Sequence, residues 1–126
     1  MKLEEYKVSK TPIPEEWLAL DELTRLELVA EFVNKFEKHI EVQARRIHAS
    51  LHVIVENQLA MESEPTPETY SRLIKQGLNR HEVIHAIGAV ISEDMFEIMQ
   101  GNKHQGLRYQ ERLRKLTAKR WKKGKW

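Results

Sequence analysis

Apolar residues in this chain recur every third or fourth position in one stretch after another, and nowhere do they alternate with polar ones over a useful length. The first spacing buries one face of a helix, whereas the second would be needed for a half-buried strand. Leu23, Leu26, Val29, Ala30, Val33 and Phe36 follow it within residues 22–37, with Asp21 as a plausible N-cap. Ala44, Ile47, Leu51, Ile54 and Val55 follow it within residues 41–60, and Ile84, Ile87, Ile91, Met95 and Ile98 within the segment that Asn79 opens. Punctuation agrees with the spacing. Pro14 can open a helical turn through Trp17 and Leu18, and Thr66 with Pro67 reads as a cap and first helical position. Gly77 and Gly101 close helices, while Asn79 and Glu82 stand three apart as in a capping box. A sparser helix, with Leu113 and Leu116 inward, is expected over about residues 107–121. The expectation is an all-α, single-domain irregular bundle of four to five helices, with an extended segment over residues 1–14.

At 126 residues the chain can build one modest core and not two. Residues 1–106 are expected to form the helical domain and residues 107–126 a basic helix or tail. Cysteine is absent, which excludes disulfides, thiolate ligands and a cysteine nucleophile. Neither an apolar leader over the first ten residues nor a run long enough to span a membrane is visible, so the expected location is the cytoplasm. The net charge of +2 hides an asymmetry: residues 1–101 hold 11 Lys/Arg against 18 Asp/Glu, and residues 102–126 hold ten against one. A basic end with Trp121 and Trp126 interspersed can contact nucleic acid or an acidic partner, or lie back on the acidic body. Sparse amphipathic helices also make a homodimer possible.

The chemistry-bearing pattern is His81-Glu82-Val83-Ile84-His85. Two imidazoles at i and i+4 share a helix face and can bind one metal ion, and in H-E-x-x-H hydrolases the Glu activates metal-bound water. Ahead of it, His48, His52 and Glu56 form a polar stripe at four-residue spacing on the preceding long helix. If the two helices face each other, His52, Glu56, His81 and His85 form a ligand set for Zn²⁺ or Fe²⁺, with Glu82 the candidate general base. His48 reads as a partly exposed surface histidine. Gly88, one turn beyond His85, would admit a close backbone approach.

Plainer readings account for the same residues. Glu82 fits the capping box without any catalytic role. The His/Glu cluster can be a hydrogen-bonded clamp between two helices in a non-enzymatic binding or scaffold protein. A metalloprotease of the extended motif would need a third His where Ile91 stands, and no strand is available to line a substrate groove.

Residues 48–58 (HASLHVIVENQ) and 77–92 (GLNRHEVIHAIGAVIS) resemble a bacterial family of small uncharacterised helical proteins, catalogued only as a domain of unknown function. The shared pattern is H-x3-E-N-Q at His52, Glu56, Asn57 and Gln58, followed by G-L-x-R-H-E-x-x-H-A-I-G from Gly77 to Gly88. The resemblance spans roughly residues 45–100. It implies a helical fold with a common His/Glu cluster and supplies no reaction.

Overall fold

The computed structural model describes residues 3–101 and 107–124. Among them are seven helices and no strand: α1 (Pro14–Leu18), α2 (Glu22–Phe36), α3 (Arg45–Ala60), α4 (Thr66–Lys75), α5 (Arg80–Met99), α6 (Leu107–Lys115) and α7 (Ala118–Lys122). The protein is an all-α single domain. Its five longer helices, α2 to α6, form the irregular bundle, and α1 and α7 are short. No helix among the described residues is long and apolar enough to cross a membrane. His104, Lys125 and Trp126 of the basic region lie outside the described residues.

The helix starts follow from local chemistry. Asp21 Oδ1 accepts from the Thr24 N–H at 2.7 Å. At α5 the capping box is complete, with the Glu82 N–H donating to Asn79 Oδ1 at 2.8 Å and the Asn79 N–H donating to Glu82 Oε1 at 3.0 Å. Gly77 takes the left-handed conformation (φ 102°) that ends α4. The helix expected over residues 107–121 is instead two, because Thr117 becomes the N-cap of α7 through Oγ1.

The core is built where α2, α3 and α5 meet, with α4 and α6 covering the far side of α5. Val29, Val33, Val55, Leu73, Val83, Ile87 and Val90 have no exposed surface. An extended strap, residues 3–13, crosses the bundle and buries Tyr6 and Val8, and Trp17 of α1 is fully buried behind it. The basic end is docked rather than loose. Leu113, Leu116 and Ala118 are buried, and Arg72 donates to the carbonyls of Leu113 and Leu116. Arg108 and Arg112 both pair with Glu97. Arg114, Lys115, Lys119, Arg120 and Lys122 remain exposed.

The expected buried stripe of α3 is displaced. Ile47 is 69% exposed, and the buried residues are Ala49, His52, Val53, Val55 and Glu56. The helix thus turns His52 and Glu56 inward, against their ordinary preference for water, because partners await them there. Likewise Leu23, Phe36, Met95 and Ile98 sit at exposed ends of their helices.

Gly88 does pack toward α3, but a Cβ built there would meet Leu51 Cβ at 3.8 Å, an ordinary contact. The position therefore does not require glycine, contrary to the close backbone approach expected for it. Gly88→Ala is expected to leave stability unchanged or raise it by up to about 0.5–1 kcal/mol, the usual helix-interior difference. Chemical denaturation of the two chains checks this.

Candidate metal centre

α3 and α5 present their histidines to each other, and the end of α2 delivers a carboxylate between them. Glu37 follows the last residue of α2 as its C-cap, with φ −120° and ψ 46°. This turn out of the helix sends its side chain inward, and the residue has no exposed surface. Glu37 Oε2 lies 3.0 Å from His48 Nε2, 3.2 Å from His81 Nε2 and 2.8 Å from His85 Nε2. Glu37 Oε1 lies 3.1 Å from His52 Nε2. The imidazoles also meet one another through the same atoms: His52 to His48 at 3.2 Å, His85 to His52 at 3.3 Å and His81 to His85 at 3.0 Å.

Glu37, His48, His52 and His85 offer ligand atoms that all lie within 4.8 Å of one another, a group able to hold a metal ion. His81 adjoins this group through Glu37 and His85. Glu37 and His52 form the buried floor, while His48, His81 and His85 form a partly exposed rim. Phe32 closes one side, its ring edge-on to His81 at 6.2 Å between centroids.

Two other residues expected at the site stand elsewhere. The Glu56 carboxylate faces away from the four Nε2 atoms and accepts two hydrogen bonds from Arg80, at 2.7 and 2.8 Å, and one from the Tyr6 hydroxyl at 2.6 Å. Glu82 carries the capping box described above. The spacing argument missed Glu37 and set His48 at the surface. The one signal for Glu37 is its position four residues after Val33 and eight after Val29, which places an acid on a buried helical stripe.

Glu56 nonetheless acts on the cluster through Tyr6. A phenol has one proton, and at 2.6 Å it goes to the Glu56 carboxylate. The Tyr6 oxygen then accepts from His52 Nδ1 at 3.2 Å, so Nδ1 carries the His52 proton. Burial pushes the His52 imidazole below its ordinary pKa, outweighing the opposing pull of Glu37, and keeps the ring neutral. Its Nε2 therefore points a lone pair at Glu37 Oε1, 3.1 Å away.

That oxygen has no hydrogen-bond partner among the described residues, although it is buried. Burial pushes the Glu37 carboxyl upward, and the four imidazoles outweigh this and hold it well below the usual carboxylate range. The result is an ionised carboxylate and a neutral imidazole lone pair turned toward each other out of water. Such an arrangement is costly unless a cation lies between them.

The Arg80 guanidinium, raised further above its ordinary range by Glu56 despite its burial, neutralises Glu56 and not Glu37. It also ties down the strap, donating to the Val8 carbonyl at 2.9 Å and to Thr11 Oγ1 at 3.0 Å. Comparison of the chain with protein-family models, curated proteins and solved structures finds no match. The functional reading rests on the residues and their geometry.

Proposed function

We propose that this is a metal-binding helical protein whose ion, Zn²⁺ or Fe²⁺, is held by Glu37, His48, His52 and His85, with His81 beside them. The convergence of four imidazole Nε2 atoms on one buried carboxylate, one oxygen of which lacks a donor, carries this reading. Imidazole-rich sets with a carboxylate and no thiolate suit these ions. The ligands come from α2, α3 and α5, so the ion joins the three helices of the core. Membership of the bacterial family resembled through residues 48–58 and 77–92 belongs to the same proposal, since those segments carry all four histidines.

A hydrolytic role would need water on the ion and a base beside it. Glu82, the candidate base, is engaged at the Asn79 N–H, which favours binding over hydrolysis.

The ion binds only the folded chain, so it stabilises by mass action. Full-length protein stripped with chelator is expected to gain about 2.7 kcal/mol when free Zn²⁺ or Fe²⁺ reaches a hundred times its Kd. A melting temperature that rises on adding the ion and falls back with chelator supports the reading. One that ignores both opposes it. Tyr6→Phe keeps the ring but removes the oxygen that fixes the His52 tautomer. It is expected to weaken metal affinity about 10–100-fold, the usual cost of losing an outer partner. Calorimetric titration of the two chains, with helix content checked by circular dichroism, measures this.

A further inference from the structure

We infer that the centre is closed and six-coordinate, a site for an octahedral ion of the Fe²⁺ class rather than for tetrahedral Zn²⁺, and that it holds the fold together without activating water. This rests on the metal-binding reading above and adds the coordination number.

The first argument is the number of donors. Five side chains converge, and both oxygens of Glu37 face histidine nitrogens. Six donor atoms, four nitrogens and two oxygens, exceed the four that a structural zinc site takes.

The second is their spacing. Metal–donor bonds of about 2.0–2.2 Å put neighbouring donors about 3.3–3.6 Å apart on a tetrahedron and about 2.8–3.1 Å apart on an octahedron. The contacts run from 2.8 Å for Glu37 to His85 to 3.3 Å for His85 to His52, at or below the tetrahedral minimum.

The third is the pattern of those contacts. Let Glu37 Oε2 stand opposite His52, Glu37 Oε1 opposite His81, and His48 opposite His85. Every close contact then falls on an edge between adjacent corners: Oε2 to His48, His81 and His85, Oε1 to His52, and the three imidazole pairs. The two Glu37 oxygens, held close by their shared carbon, distort this octahedron without changing which corners adjoin.

With His81 in place no corner is left for water. A site with all its positions filled by protein is the structural kind, whereas catalytic sites keep one open. His81 has the most exposed of the four side chains, at 38%, so it is the corner that can be opened by substitution without disturbing the buried floor.

The test uses full-length chelated protein loaded with Co²⁺, whose visible absorption reports geometry. Expected is one Co²⁺ per chain, with absorption about an order of magnitude weaker than a tetrahedral site gives and no change on adding azide. His81→Ala should retain Co²⁺ and gain an azide-dependent spectral shift. An intense tetrahedral spectrum from stoichiometrically loaded wild type would overturn the six-coordinate assignment while leaving metal binding intact. An azide shift in the wild type would overturn the closed site. Failure to take up Co²⁺ would instead remove the metal reading beneath it. Should His81→Ala not fold, the wild-type spectrum and its response to azide still decide.

Discussion

Arg80→Met is expected to destabilise the fold by about 3–5 kcal/mol, the cost of leaving a buried charge without its partner. Arg80 is 8% exposed, and its guanidinium binds both oxygens of Glu56 while also donating to Val8 and Thr11. Methionine fills much of the volume but supplies no donor. Glu56, 2% exposed, keeps only the Tyr6 hydroxyl, and the strap loses its two anchors from α5. A loss of this size removes much of the total stability of a domain, about 5–15 kcal/mol. Glu56→Gln in the same chain removes the stranded charge and should recover part of the loss, because the two residues share one network. Urea denaturation of the single and double variants provides the comparison. Equal stability of Arg80→Met and wild type would mean that the buried pair does not hold the strap.

Glu37→Leu is expected to have the opposite balance: metal affinity falls by at least about a hundredfold, beyond the range for an outer partner, while the chelated chain is as stable as wild type or more so. Glu37 is the acid that meets all four imidazoles, and its removal takes away the only negative charge among them. In chelated protein that carboxylate is a burden, since it is buried with one oxygen unpartnered. Leucine in its place adds apolar surface to the floor beside His52, and the rim histidines can turn to water. Separating the two effects requires calorimetric titration for affinity and denaturation in chelator for stability. A variant that unfolds without metal present would instead mark Glu37 as a structural hydrogen-bonding centre, as the clamp reading holds.

The helices were legible because their signals are local. Asp21, Asn79 with Glu82, and Gly77 each mark a boundary through hydrogen bonds reaching at most a few residues. The inward face of α3 was harder to read. Leu51, Ile54 and Val55 make an apolar stripe as persuasive as Ala49, Val53 and Val55, and His52 with Glu56 argues for water. What turns these two inward is Arg80, Tyr6 and Glu37, which lie 24, 46 and 15 residues from their respective partners. No periodicity contains such pairings.

For the site, spacing alone paired His48 with His52 and His81 with His85, since i and i+4 share a helix face. Glu37 was invisible as a ligand because its role depends on the turn at the end of α2. Local rules for where charged residues belong fail around Glu37, His52 and Glu56, and such failures concentrate where a structure serves a function.

The most direct test of the central claim is elemental analysis of the full chain, purified without a His-tag, beside a His52→Ala/His85→Ala variant whose helix content is verified. The metal centre predicts close to one equivalent of a first-row divalent ion per wild-type chain and none in the variant. A wild-type chain that carries no such ion, and takes up neither Zn²⁺ nor Fe²⁺ when offered each in excess, would contradict it.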